Sequence, residues 1–193
     1  MASGEQPGPG RPIVARTLWA ATAAERAAAP SGDADDDAAL DEAAAYLVAR
    51  TGRRSPPHAA APAIGAVSSA LFPVTDADTA AAMGHPDPGV RVLATPRLGL
   101  WFEVATSPLM PEPATGLRHV GVGLVVHHLG RADVGEEVTV AARVLDVSGR
   151  AVIFSLTATA GERPVGRGVH HRRILDVDAP GPVNPTRGGA SPP

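Results

Sequence analysis

At 193 residues the chain has room for one packed domain with tails rather than for two. Its 17 Lys plus Arg against 20 Asp plus Glu leave a net charge of -3, and aromatic residues make up only 3%, so neither the basic footprint nor the stacking platform of a nucleic-acid binder is present. The absence of cysteine excludes disulfides, thiolate metal sites and a cysteine nucleophile, and no apolar run approaches the roughly 20 residues needed to span a bilayer.

Residues 1–62 combine a Gly/Pro-rich start, an alanine-rich stretch, an acidic cluster at 33–37 and a Pro-rich exit. Large apolar groups are too few there to offset the entropy of ordering, so this extension is expected to be mostly disordered. The exception is 40–50, where Leu40, Ala44, Leu47 and Val48 fall near helical spacing and Gly52 supplies a stop; a short, solvated helix is expected. The start also lacks a hydrophobic signal core, so a soluble cytoplasmic protein is expected. The tail, 179–193, reads as linker.

A packed domain is expected over 63–178. Its first strand falls within 63–75. Thr95 followed by Pro96 reads as a helix N-cap with proline at the first helical position, and the RLGLWFEVA that follows is apolar on nearly every side, which predicts a helix buried all round and stopped by Pro108. Four extended segments come next, at 118–128, 137–147, 150–160 and 163–175, with period-two patterning and β-branched residues. Short links at Ser148-Gly149 and Gly161-Glu162 predict antiparallel hairpins. An apolar helix followed by such a meander packs economically as an α+β hotdog fold, a curved antiparallel sheet wrapped around a central helix. Another α+β sandwich satisfies the same pattern.

Three polar residues stand out. Glu103 is a carboxylate among Leu100, Trp101, Phe102, Val104 and Ala105, and in an enclosed helix it must be paired, protonated or used. Thr95 sits at the mouth of the same helix, where amides stabilise developing negative charge. His127 and His128 end a strand, so only one can face the helix; if Val120, Val122, Leu124 and Val126 line the inner face, His128 continues it. Gly121 and Gly123 inside that strand mark a bulge, a close ligand or a crossing with the helix. No HExxH-like spacing accompanies the histidines, so no metal and no cofactor is expected.

These segments resemble the fluoroacetyl-CoA thioesterase family of hotdog enzymes. The resemblance rests on VLATPRLGLWFEVA, on the stretch GVGLVVHHLGRADVGEEVTVAARVLDVSGRAVIFSLTATAG, and on VGRGVHHRRILD, in that order and spacing. It implies an acyl-CoA thioesterase with catalytic Thr95, Glu103 and His128. It also implies a substrate or CoA contact at the Gly121 backbone and at Arg172, and a homodimer or higher homo-oligomer with sites at the interface. Where the fluoroacetyl-specific enzymes carry a lid phenylalanine, six residues before the threonine, this chain has Gly89, so a fluoroacetyl preference is not implied. Two other functions fit the same fold. One is a non-catalytic acyl-CoA-binding module; the other is an enoyl-CoA hydratase, for which Asp133 near His128 is the single hint.

Overall fold

The computed structural model describes residues 34–50, 54–112 and 116–176. In chain order these form α1 (Ala34–Arg50), β1 (Val67–Pro73), α2 (Thr95–Thr106), β2 (Leu117–His128), β3 (Glu137–Ser148), β4 (Ala151–Ala160) and β5 (Arg163–Asp176). Disorder expected over residues 1–33 and in the 179–193 tail lies outside the described residues.

All five strands join one antiparallel sheet in the order β1-β3-β4-β5-β2. β3, β4 and β5 form the expected meander. Gly149 and Gly161 turn its two hairpins at φ of 55° and 59°, a left-handed conformation that glycine adopts without a Cβ penalty. β2 forms one edge of the sheet and β1 the other.

α2 lies across one face. Leu98, Trp101, Phe102 and Ala105 pack onto Val138, Val140, Ala142, Leu156 and Ala158, the alternate positions of β3 and β4. The Trp101 ring stacks on Phe72 of β1 with centroids 4.9 Å apart, and Ser68 donates to the Ala105 carbonyl at 2.6 Å. The helix is not enclosed all round, however. Leu100 and Val104 are exposed, because α2 runs beside the β2 edge and, among the described residues, no further strand covers that flank.

The opposite face is covered by α1, which corrects the expectation of a short, solvated helix. Leu40, Ala44 and Leu47 are buried against Leu145, Ile153 and Val169. Burial of this stripe stabilises a helix whose propensity alone would be marginal. Leu47 Cδ2 lies 3.3 Å from where a Gly123 side chain would begin, so that glycine admits the helix.

Candidate active site

Residues just before α2 are pinned from both sides. The Leu93 amide donates to the Ala132 carbonyl at 2.8 Å and the Ala94 amide to the Asp78 carbonyl at 2.9 Å. Arg97, in the first turn, lies 2.8 Å from the Asp78 carboxylate. These contacts set where the helix starts, and it starts one residue earlier in the capping scheme than the Thr-Pro signature suggests. Ala94 is the N-cap, Thr95 is the first helical residue, and no side chain caps the end. The Thr95 hydroxyl is therefore not spent on the helix; its Oγ1 sits 2.9 Å from His128 Nδ1.

The path of β2 explains which histidine arrives there. A bulge between Gly121 and Gly123 shifts the register against β5, and a bulge resets the alternation of side chains. After the bulge, Leu124 and Val126 face α2, meeting the space beside Gly99, and His128 follows on that side. Before the bulge, the α2 side is taken by His119 and Gly121 rather than by Val120 and Val122, which are exposed. The expected inner face of four alternating residues is thus broken in two.

His128 is half-buried, and its Nε2 is enclosed without a hydrogen-bond partner among the described residues. Burial lowers its pKa below the ordinary histidine range, with the Gly130 backbone opposing the shift. The ring is neutral at pH 7, and its Nε2–H tautomer would present the Nδ1 lone pair to the Thr95 hydroxyl.

Glu103 lies on the next turns of α2, eight residues from Thr95. That is about 12 Å along the helix axis, so the two do not meet within one protomer. Its side chain is 44% exposed rather than buried, and its neighbours form a second cluster. A Cβ on Gly121 would stand 2.9 Å from both Glu103 Oε1 and His170 Nε2, so the glycine lets the strand backbone approach the carboxylate. Arg172 is buried, with Nη2 3.8 Å from Glu103 Oε1 and Nη1 donating to the Glu103 carbonyl at 3.0 Å, to Thr106 Oγ1 at 2.8 Å and to Ser107 Oγ at 3.0 Å.

The hydroxyl of Thr106 settles the tautomer of His170. Oγ1 donates its one proton to the Glu103 carbonyl at 2.7 Å and accepts from Arg172, so His170 Nδ1, 3.2 Å away, must be the donor to it. His170 is 1% exposed, and burial first, then the charges of Arg172 and His171, push its pKa down to about 4.

The structure therefore brings Thr95 to His128, and Glu103 to Gly121 and Arg172, but it keeps the two groups apart. Sequence reasoning passed over Thr106 and His119. Thr106 carries no signal beyond its place at the end of the helix, whereas His119 would have emerged had the bulge that Gly121 and Gly123 offer been carried through to the side-chain faces of β2. Asp133 is engaged by Arg131 at 2.5 Å. Among the described residues no group of three or more His, Asp or Glu is placed to hold a metal ion, and no helix is long and apolar enough to cross a membrane.

The sequence profile of the fluoroacetyl-CoA-specific thioesterase family matches residues 74–178. The fold is similar to that of the fluoroacetyl-CoA thioesterase FlK, at 25% identity and a TM-score of 0.52 over 60% of this chain and 89% of that one. It is also similar to a hot-dog-like protein from Thermanaerovibrio acidaminovorans, at 24% identity and a TM-score of 0.53 over 60% and 84% of the two chains. A thioesterase-superfamily member from Thermus thermophilus is similar at 23% identity and a TM-score of 0.50 over 60% and 85%. The α+β architecture is thus the hotdog fold. No curated protein matches the chain in sequence.

Proposed function

The chain belongs to the fluoroacetyl-CoA-specific thioesterase family, and from that premise we propose that it hydrolyses an acyl-CoA thioester to the free acid and CoA through Thr95 and His128. The observation that carries this reading is the 2.9 Å contact between Thr95 Oγ1 and His128 Nδ1. It pairs an exposed hydroxyl with a neutral imidazole at the start of a helix, which is the pairing of nucleophile and base that acyl transfer needs. As Thr95 Oγ1 attacks the carbonyl carbon, its proton passes to His128. The oxygen that becomes negative is held by amides of the first helical turn, with Arg97 as donor because Pro96 has no N–H. Collapse breaks the C–S bond, and the proton on His128 leaves with the CoA thiolate as thiol. Water then releases the acid from the acyl-threonine.

Glu103 is assigned to that water step, and its distance from Thr95 within one protomer calls for a second copy. β2 is an edge strand of 12 residues, with Val120, Val122 and Leu124 exposed along it and Leu100 and Val104 exposed on α2 beside it. Such an edge is a template for strand pairing. A two-fold axis near Leu124, pairing β2 antiparallel with its copy, sets Gly121 of one chain opposite His128 of the other. It thereby carries one protomer's Glu103 cluster towards its partner's Thr95–His128 pair. In this homodimer Gly121 offers its backbone to the substrate, and Arg172, being buried, acts by holding Glu103.

The domain doing this work is taken as 63–178. No bulky side chain stands at Gly89, whose amide is tied to Asp87 Oδ1 at 2.8 Å, so nothing at that position restricts the acyl group to fluoroacetyl; the small acyl group of this reading comes from the family alone. A cytoplasmic setting suits the reaction, since the charged CoA moiety does not cross a bilayer unaided. Free CoA thiol released from a panel of short acyl-CoAs tests the proposal. Thr95→Ala and His128→Ala are each expected to lower kcat at least about a hundredfold. Binding without release in the unmodified protein would instead identify a ligand-binding module, and unchanged turnover in both variants would overturn the assignment.

A further inference from the structure

His119 stands on the same stretch of β2 as Gly121, two residues earlier and on the same side of the bulge. Its cross-strand neighbour Ile174 is fully buried with Phe154, Val144 and Met110 on the α2 face, which fixes the side from which His119 projects. Alternate residues of a strand lie about 7 Å apart. A side chain at Gly121 would begin 2.9 Å from Glu103 Oε1, so the imidazole two positions away is within reach of that carboxylate. Its Nδ1 is enclosed with no hydrogen-bond partner among the described residues. A buried N–H without an acceptor is rarer than an under-satisfied acceptor, so the proton of the neutral ring belongs on Nε2. The ring is only partly buried and the neighbouring carboxylate, whose charge it feels, is 44% exposed, so an N–H donor and an acceptor have room to meet at the open side of the cluster.

We propose that His119 is a positioning residue whose Nε2–H orients the Glu103 carboxylate for the water step. This rests on the role given to Glu103 above. The charged and titratable groups facing His119 are Glu103 from α2 and, from β5, Arg172 with His170 beside it. Burial first and Arg172 second disfavour protonation of His119, whereas Glu103 favours it. The ring therefore stays a neutral donor at pH 7 and gains a charge only in more acidic solution.

Two measurements on the full chain test this. In the first, the His119 imidazole is titrated by NMR, with the signal assigned from His119→Ala. Its midpoint lies below about 6.5 and moves lower still in Glu103→Gln, because a supporting negative charge is lost. An unmoved midpoint overturns the contact, whether or not the protein turns over any thioester. In the second, His119→Ala lowers kcat about tenfold with KM for acyl-CoA nearly unchanged, and His119→Gln, which keeps a donor where Nε2 was, restores most of it. The glutamine variant also loses the part of the acid limb of the pH profile that His119 contributes. Wild-type kcat and pH profile in His119→Ala would overturn the positioning role. Absence of turnover in the unmodified chain would instead remove the functional reading beneath it, leaving the titration to decide the contact.

Discussion

Arg172 grips Glu103 twice, donating from Nη1 to its backbone carbonyl at 3.0 Å while Nη2 stands 3.8 Å from its carboxylate. The carbonyl belongs to the last turn of α2, where unsatisfied acceptors and the negative end of the helix favour a cation. One guanidinium thus ends the helix and orients the side chain. Arg172→Met would remove the charged hydrogen bonds to the Glu103 carbonyl, Thr106 Oγ1 and Ser107 Oγ, and is expected to lower unfolding stability by about 3 kcal/mol in urea titrations. Arg172→Lys keeps the charge but not the fork. It should cost less stability yet still depress kcat/KM, because a single ammonium cannot serve both groups. Full kcat/KM in the lysine variant would show that the fork does not matter.

Gly121→Ala isolates the close approach of β2 to Glu103. The added methyl would meet Glu103 Oε1 and His170 Nε2, each 2.9 Å away. Of the two, the half-exposed glutamate is the one able to yield, since His170 is locked by Thr106. The variant is therefore expected to fold, with a melting temperature within a few degrees of the parent, and to lose about tenfold or more in kcat. Equal loss of folded protein and of activity would mean that the glycine serves packing alone.

The sheet was legible because β3 and β4 alternate cleanly. Val138, Val140 and Ala142 share one face, as do Phe154, Leu156 and Ala158, and the hairpin glycines mark the turns. α1 was misread because its stripe is short, and because its partners Leu145, Ile153 and Val169 are interleaved with polar residues such as Arg143, Ser155 and His171 on what looks like a solvated face. Thr95 stood out in the sequence as a candidate, but its local role did not. A Thr-Pro pair matches a capping signature, and only a contact with His128, 33 residues away, redirects the hydroxyl. Gly121 and Gly123 offered a bulge in β2 as one reading but not the side-chain faces that it resets, because a Gly-Val-Gly strand carries no register, and so His119 was missed. The separation of Glu103 from Thr95 follows from helical rise alone, yet its consequence shows only when the unpaired β2 edge is seen beside it.

That separation predicts complementation. Thr95→Ala and Glu103→Gln are each expected to be nearly inactive alone. Refolded together in equal amounts, half the dimers are mixed, and each mixed dimer holds one complete site and one doubly deficient one, so about a quarter of the parental activity should return. A mixture no more active than its components would place the whole site within one protomer. The dimer itself is checked by light scattering, where a charge at Leu124 or Val122 on the edge should shift the protein to monomer and abolish turnover together.

The pH dependence of stability carries the mark of His170. Its folded pKa is about 4, against an ordinary value near 6.5, so between those limits the unfolded chain takes up a proton that the folded chain refuses. Stability is therefore full above about pH 6.5, falls as the pH drops towards 4, and by then has lost up to about 3 kcal/mol from this residue. His128 and His119 are shifted in the same direction and add to the slope, so the diagnostic is a difference between proteins rather than the wild-type curve. His170→Asn keeps an N–H donor for Thr106 Oγ1 and removes the titration. Urea midpoints measured from pH 7.5 to 4.5 should fall less steeply in that variant than in the parent, and parallel curves would mean that His170 is protonated in the fold as readily as in water.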